Sequence, residues 1–129
     1  MIVTYKEDLV GGPRHRKVST GTSLRMLTRE DGVGFSFHDT ELEAGTTTTL
    51  QYKNHIEANY IIDGTGELEN LETGEVFEVR PGMTYTLDKH DRHQMRSHTK
   101  LRIICVFTPA LTGQEKHDAS GSYPAPVAG

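Results

Sequence analysis

Short runs of strand-forming residues, separated by turn residues, recur along the chain from about Thr22 onward. The β-branched threonines at 46–49 favour strand over helix, and no segment shows a sustained helical period. Asp31-Gly32, Asp63-Gly64 and Thr73-Gly74 are turn signals. This pattern predicts an all-β sandwich or barrel of short antiparallel strands. We expect strands at 23–27, 34–42, 46–52, 58–63, 67–71, 75–79, 84–87, 94–98 and 101–107.

The chain has 129 residues, the length of one domain that buries its core without disulfides. Residues 1–117 are expected to form the barrel with an amino-terminal segment, in which 11–17, with Gly-Gly-Pro and several basic residues, predicts an irregular connection. Small residues and prolines dominate 118–129, a composition that predicts a mobile tail able to act as a lid.

Charge and cysteine usage exclude several classes of partner. A formal charge of −4 with a pI near 5.9 gives no basic field for phosphate backbones, so no nucleic-acid partner is expected. Cys105 is the single cysteine and cannot form an intramolecular disulfide, and residues 1–6 lack the apolar stretch of a signal peptide. No segment approaches the ~18 to 20 apolar residues that span a bilayer. We therefore expect a cytoplasmic protein without a membrane partner.

Regular glycine spacing frames the middle of the chain. From Gly45, five residues lead to Gln51, Lys53 follows two positions later, and Glu57 and Gly64 come next after gaps of three and six residues. This spacing resembles the first signature of the cupin superfamily, in which histidines stand at the positions of Gln51 and Lys53. It predicts a single cupin-type, jelly-roll-like β-barrel.

The second cupin signature also has a counterpart here. From Gly74, five residues lead to Arg80 at the usual proline position, Gly82 stands at the next glycine position, and Tyr85 stands where the superfamily normally has histidine. With three histidine positions changed, the spacing allows two interpretations. Either the metal has been lost, or a different set of ligands holds it.

Glu57, Tyr85 and His93 are the candidate ligands of such a set. Alone, Glu57 would be a solvent-facing carboxylate and Tyr85 a core aromatic, but a barrel strand has only two faces, one of them the lumen. His93 enters the next strand and can turn inward, whereas His90 lies in the charged turn before it. A bound metal can lower the phenol pKa so that phenolate coordinates. Carboxylate, phenolate and one imidazole suit iron or another transition metal and leave positions open for substrate.

Other polar and apolar residues have both a structural and a functional interpretation. Cys105 and Phe107 share one face of the last strand, as core residues or as a wall of a pocket. His117 lies in a charged stretch that is usually surface.

Several stretches together resemble one family within the cupins: 32–40, 52–58, 87–93, 105–113 and 115–118. On these motifs the chain closely resembles the ectoine synthase family, from Met1 to about Pro124. The resemblance implies a cytoplasmic, homodimeric, iron(II)-dependent cyclising hydro-lyase. Its substrate would be N-γ-acetyl-L-2,4-diaminobutyrate, a small zwitterion that loses water in closing to the compatible solute ectoine.

The resemblance also implies roles for individual residues. Iron would bind Glu57, Tyr85 and His93, the set that the spacing singles out. Substrate contacts would come from Arg25, Thr40, Tyr52, Cys105 and Phe107. The resemblance also places Glu115 and His117 near the closing tail, and one of these two is our own hypothesis for a group that transfers protons near neutral pH. Gly21 departs from the family pattern, because a tryptophan is expected there, as do Gln51 and Asn59.

Two alternative functions remain open on the sequence alone. One is a non-catalytic cupin that binds a small zwitterion as a sensor or carrier. The other is a cupin enzyme of different specificity, such as a dioxygenase. A purely structural barrel is least expected, because luminal Glu57 and Tyr85 would then be buried polar groups without a partner.

Overall fold

Strands dominate the computed structural model, which describes residues 1–113, 115–119 and 121–125. A short helix, α1 (Lys6–Leu9), precedes the strands, and a 3₁₀ helix (Arg29–Asp31) follows the second of them. The strands are β1 (His15–Val18), β2 (Gly21–Leu27), β3 (Ser36–Leu42), β4 (Thr47–Leu50), β5 (Ile56–Asp63), β6 (Gly66–Asn70), β7 (Val76–Val79), β8 (Thr84–Leu87), β9 (His93–Ser97) and β10 (Leu101–Thr108). The predicted all-β class is confirmed.

The strands form two antiparallel sheets. The larger has the order β1-β2-β3-β10-β5-β8, and the smaller has the order β4-β9-β6-β7. Neighbours that are distant in sequence, such as β3 and β10, give the sheets the crossing connections of a jelly roll rather than a simple meander. Within the described residues, no helix is both long and apolar enough to cross a membrane.

Each strand predicted from the sequence is present, with ends displaced by a few residues, but the irregular connection predicted at 11–17 is wrong in its second half. His15–Val18 forms β1, a hairpin partner of β2 in which His15 lies opposite Leu24 and Val18 opposite Gly21. The guanidinium of Arg14 anchors this hairpin on the 3₁₀ helix by ion pairs to Glu30 and Asp31. Charged residues can form such an edge strand because it has little core to cover.

Alternation along β5 explains how the barrel acquires a polar lumen. Glu57, Asn59 and Ile61 are buried, whereas Ala58 and Tyr60 between them are exposed. Since successive side chains of a strand point to opposite faces, two polar residues of β5 face the interior. The apolar residues of the core complete the packing: Leu42, Tyr52, Ile61, Leu68, Val79, Leu87, Met95, Leu101, Ile103, Cys105, Phe107, Leu111 and Tyr123.

The described part of the carboxyl-terminal segment packs onto the barrel next to 51–54. Gly121 O accepts a hydrogen bond from Gln51 N at 3.1 Å, and Ser122 Oγ accepts one from Lys53 N at 3.0 Å. Ser122 and Tyr123 are buried. The tail predicted at 118–129 thus includes residues that cover the barrel, while Ser120 and 126–129 lie outside the described residues. Its mobility stays a prediction.

Candidate active site

A cavity of about 590 Å³, including its open mouth, lies between the two sheets. Most of the residues that the sequence singles out line it: Thr40, Tyr52, Glu57, Tyr85, His93, Cys105, Phe107 and His117. Asn59 and Tyr123 also line it. Arg25 and Glu115 line an adjacent outer groove, which meets the cavity at His117 and Tyr123.

Three strands from both sheets bring the candidate metal ligands to this cavity. Glu57 lies on β5 and Tyr85 on the neighbouring β8, where Tyr85 pairs with Asn59. His93 opens β9 in the other sheet, opposite Leu50 of β4. The strand register therefore places a carboxylate and a phenol on one wall and an imidazole on the facing wall.

Burial sets the charge state of the two acidic groups. It raises the pKa of Glu57 to about 7, against the opposing effect of hydrogen bonds from Asn59 and Cys105. Tyr85 is half-buried as a residue, but its hydroxyl is enclosed, and burial with the nearby Glu57 charge raises its pKa well above the usual value. A cation bound between them would favour both ionised forms.

His93 has one ring nitrogen hydrogen-bonded to the backbone. Its Nδ1 lies 3.0 Å from the Asp91 carbonyl oxygen, which can only accept, so Nδ1 carries the proton and Nε2 keeps a free lone pair. Burial lowers the pKa of His93, which favours the neutral imidazole that metals bind. Metal-bound histidines commonly show this arrangement. His90 instead lies in the turn, with Nδ1 2.7 Å from the Tyr52 carbonyl oxygen.

The donor set fits a transition metal, though it is not a cluster of the commonest ligand types. In the described part of the chain, no three residues among histidine, cysteine, aspartate and glutamate gather around one point. Glu57, Tyr85 and His93 line one cavity, where a phenol would supply one of the three donors. Phenolate and carboxylate oxygens with one nitrogen are donors suited to iron.

Arg25 is a buried cation without a carboxylate partner among the described residues. Its Nη1 donates to the carbonyl oxygens of Gly113, at 2.8 Å, and Glu115, at 3.3 Å, and its Nη2 lies 3.5 Å from the Tyr123 hydroxyl. Its Nε finds no hydrogen-bond partner within the described ranges. A buried guanidinium with an unused N–H donor can bind a carboxylate.

An aromatic cluster encloses the cavity mouth. The Tyr52 ring packs edge-on against Phe107, at 5.0 Å between centroids, and stacks on Tyr123 at 5.2 Å. His117 stacks on Tyr123, with 4.3 Å between ring centroids, and its Nε2 lies 3.0 Å from the Tyr52 hydroxyl. This cluster places aromatic surface and one hydrogen-bonded pair in the lining of the cavity.

The expectation that Glu115 or His117 transfers protons near neutral pH stays a prediction, and the structure shifts the pKa of both groups downward. Burial, then the Arg25 charge, lowers the pKa of His117 to about 4. Burial raises the pKa of Glu115, but hydrogen bonds from Thr112 and Gly113 outweigh it, so the net shift is downward. Those bonds, at 2.8 to 3.0 Å, turn the carboxylate into its own loop and away from the cavity.

The structure adds three residues that the sequence analysis did not assign to the site. Asn59 shares the luminal face with Glu57, which alternation along β5 indicated. His38 is buried beside the cavity with Nδ1 3.4 Å from Ser23 Oγ. Tyr123 belongs to the segment predicted as a mobile tail, and no local pattern placed its ring in the cavity mouth.

Gly21 leaves no room for the side chain expected at this position. An added Cβ would lie 1.8 Å from the Glu41 carbonyl oxygen and 3.0 Å from Leu42 Cα, both in the backbone of β3. Gly21 is absent from the cavity lining among the described residues. Tyr52, Phe107 and Tyr123 provide the aromatic walls instead.

A two-sheet β-barrel with a buried polar cavity between its sheets defines a protein of the cupin type. The predicted oxalate decarboxylase of Thermotoga maritima, for example, shares this fold with a TM-score of 0.69 at 15% identity, over 84% of this chain and 99% of that one. The sequence profile of the ectoine synthase family matches residues 1–127, and the chain belongs to that family.

Relatives agree with this membership over nearly their whole length. The L-ectoine synthase of Desulfatibacillum aliphaticivorans is 50% identical over 126 residues, covering 96% of this chain and 97% of the relative. That of Oceanobacillus iheyensis is 48% identical over 124 residues, with coverage of 96% and 97%. The crystal structure of ectoine synthase from P. lautus superimposes with a TM-score of 0.88 at 44% identity, over 99% of this chain and 94% of that one. The prediction of an enzyme, an ectoine-forming lyase, is thereby confirmed over that of a sensor or carrier.

Proposed function

We propose that this chain converts N-γ-acetyl-L-2,4-diaminobutyrate into ectoine by an intramolecular condensation. The α-amine nitrogen attacks the acetyl carbonyl carbon, a carbon–nitrogen bond forms, and the carbonyl oxygen leaves as water, giving a cyclic amidine. The observation that carries the proposal is a cavity lined by a carboxyl, a phenol and an imidazole, next to a groove that holds a buried cation without a carboxylate partner among the described residues. The substrate is itself a zwitterion with an amide, which needs both kinds of contact.

Arg25 is the proposed partner of the substrate carboxylate. The guanidinium is fixed by the Gly113 and Glu115 carbonyls, so little side-chain entropy is lost when it binds an anion. A carboxylate held at this end of the site directs the rest of a short substrate toward Tyr52 and Phe107. Enclosure by these rings favours the folded conformation that brings amine and carbonyl together, an effect worth several kcal/mol when reacting atoms are held near contact.

Glu57, Tyr85 and His93 are the residues that would hold iron(II). They fit it because their donor atoms are buried in one cavity, and the Asp91 carbonyl oxygen fixes the tautomer of His93. When bound, iron would act as a Lewis acid that makes the poorly electrophilic amide carbonyl more reactive.

Proton movement is assigned to the hydrogen-bonded pair of Tyr52 and His117. Burial raises the pKa of Tyr52, so this phenol keeps its proton, and His117 is neutral because burial lowers its pKa to about 4. A neutral imidazole can accept a proton as the α-amine is consumed, and the hydroxyl 3.0 Å away can relay one toward the departing oxygen.

The proposal is tested by incubating purified protein with ferrous iron and the acetylated diamine under anaerobic conditions and following ectoine by chromatography. The parent should form ectoine, and Glu57→Ala, Tyr85→Ala and His93→Ala should lose both bound iron and turnover. His98→Ala, at an exposed turn, is the matched control that should retain both. Full turnover by all three variants would contradict the ligand assignment. Absence of product from the parent would contradict the proposed reaction.

The outer face of the larger sheet supports a homodimer. Ile56, Tyr60 and Ile62 of β5 expose apolar surface there, each with at least 37% of its area accessible. A second copy of the chain that covers this face would remove the surface from water. Tyr60→Lys should halve the mass measured by light scattering after gel filtration, and an unchanged mass would contradict this interface.

The cytoplasm is the proposed compartment, and osmoprotection through the compatible solute ectoine is the proposed role. The free Cys105 thiol, buried next to Glu57 and Thr40, is compatible with a reducing environment. Fractionation of cells that express the protein would test the location.

A further inference from the structure

Asn59 occupies a central position among the candidate metal ligands. It follows Glu57 by two residues on β5, so both side chains face the lumen. Across the sheet it pairs with Tyr85 on one side and Cys105 on the other. Only 4% of its surface is exposed, and it lines the cavity. An amide is thus enclosed at the one point of the sheet that adjoins a carboxylate, a phenol and a thiol.

The amide of Asn59 binds the carboxylate of Glu57 directly. Its Nδ2 donates a hydrogen bond to Glu57 Oε1 at 3.0 Å. The torsion that rotates a glutamate carboxylate is broad and has no strong intrinsic preference. A buried hydrogen bond to one oxygen restricts that rotation, and therefore determines which lone pairs the carboxylate presents to the cavity. The Cys105 thiol is a second polar neighbour of Glu57, but a thiol is a weaker donor than an amide.

We propose that Asn59 is a positioning residue that orients the Glu57 carboxylate and thereby sets the affinity and coordination geometry of the metal site. The inference rests on the metal site proposed above and deepens it. Partners that orient a metal ligand typically change metal affinity by roughly 10- to 100-fold when they are removed. If Asn59 served in packing alone, replacing it by an apolar residue of similar shape would leave the metal affinity unchanged.

The test uses cobalt(II) as the probe, because its visible absorption reports both binding and coordination geometry. Metal-free protein of the full chain is titrated with cobalt(II) for the parent, Asn59→Leu and Asn59→Ala. Leucine is close to asparagine in shape but has no donor, and alanine provides a second variant in case leucine perturbs the fold. Gln94→Leu is the matched control, since Gln94 follows His93 on β9 but its amide donates outward to Thr49 Oγ1.

The parent should bind one equivalent of cobalt(II), and both Asn59 variants should bind it about 10- to 100-fold more weakly with an altered absorption spectrum. Gln94→Leu should match the parent in both respects. Circular dichroism and thermal melts identify which Asn59 variant is folded, and the affinity of a folded one is decisive. Parent-like affinity and spectrum in a folded Asn59 variant overturn the positioning role while leaving the metal site intact. Failure of the parent to bind cobalt(II) overturns the metal site and the positioning role together.

Discussion

The ring of Tyr123 stacks on that of His117, with centroids 4.3 Å apart and planes inclined by 26°. The same tyrosine stacks on Tyr52, whose hydroxyl meets His117 Nε2. One residue of the carboxyl-terminal segment therefore holds together the pair to which proton transfer is assigned. Under the proposed proton transfer, this carboxyl-terminal segment would contribute to the chemistry of the cavity as well as to its closure.

Removing the Tyr123 ring should weaken substrate binding. Tyr123→Ala loses the stacking contacts to Tyr52 and His117, and aromatic pairs contribute about 0.5–1.5 kcal/mol each beyond the area that they bury. We expect KM to rise about tenfold in steady-state assays. Tyr123→Phe keeps the ring and loses only the long contact to Arg25, so its KM should stay within about threefold of the parent. Equal KM values for Tyr123→Ala and the parent would show that the segment does not close over substrate.

Replacing Arg25 by methionine should separate binding from stability. A charge-assisted interaction with a carboxylate contributes about 1.5–3 kcal/mol, so KM should rise roughly 10- to 100-fold in Arg25→Met. Because a buried cation without a counter-ion is costly to the fold, the melting temperature should stay level or increase. Lys116→Met is the control, since this exposed cation lines the same groove. An unchanged KM in Arg25→Met, with a lowered melting temperature, would make Arg25 a structural residue only.

The stability of the protein should fall on acidification, partly through His38. Burial, then the Arg25 charge, lowers the pKa of His38 from 6.5 to about 3. Between these values the unfolded chain binds a proton at this position and the native protein does not. The free energy of unfolding therefore falls as pH drops below 6.5, by about 1.4 kcal/mol per pH unit for one such group, and this loss ends near pH 3.

Urea denaturation at several pH values between about 4 and 7.5 measures this slope. His38→Asn should lower this slope by the contribution of one proton, about 1.4 kcal/mol per pH unit. Ser36→Ala, a buried change on the same face of β3, should leave the slope as in the parent. A slope that His38→Asn does not alter would mean that this imidazole titrates with the same pKa in the native and the unfolded protein.

A side chain at position 21 should destabilise the barrel. The Cβ of Gly21→Ala would meet the Glu41 carbonyl oxygen of a paired strand, and relief requires movement of the backbone. We expect a loss of about 1–3 kcal/mol in the free energy of unfolding, measured by chemical denaturation. Gly12→Ala, whose Cβ would lie 3.3 Å from the Leu9 carbonyl oxygen, is the milder control. Equal stabilities of Gly21→Ala and the parent would mean that β2 can move away from β3.

The fold was predictable from the sequence because the information that specifies it is local. Alternation along β5 and the turn glycines indicate which residues face inward, and the glycine spacing singled out Glu57 and Tyr85, which lie on adjoining strands. Strand β1 was missed because His-Arg-Lys-Val shows no apolar alternation, and the ion pairs of the neighbouring Arg14 with Glu30 and Asp31 join residues distant in sequence.

The site was predicted less completely because much of it depends on long-range contacts. Tyr123 reaches the cavity mouth through hydrogen bonds between residues 69 positions apart, which composition cannot reveal. The Glu115 carboxylate is captured by the amides of its own loop, and a motif does not indicate such an orientation. Iron binding by Glu57, Tyr85 and His93 stays a prediction.

Arg25 already donates from Nη1 to the carbonyl oxygens of Gly113 and Glu115, so a carboxylate that binds this nitrogen would share or displace these contacts. Substrate occupancy and the position of the covering segment are then linked equilibria, and each shifts the other by the same factor. The measured binding free energy of the substrate is then the difference between the contacts that Arg25 makes with the substrate and those that it gives up with the carbonyl oxygens. Changes in the segment that never touch the ligand can therefore alter the concentration at which the cavity fills.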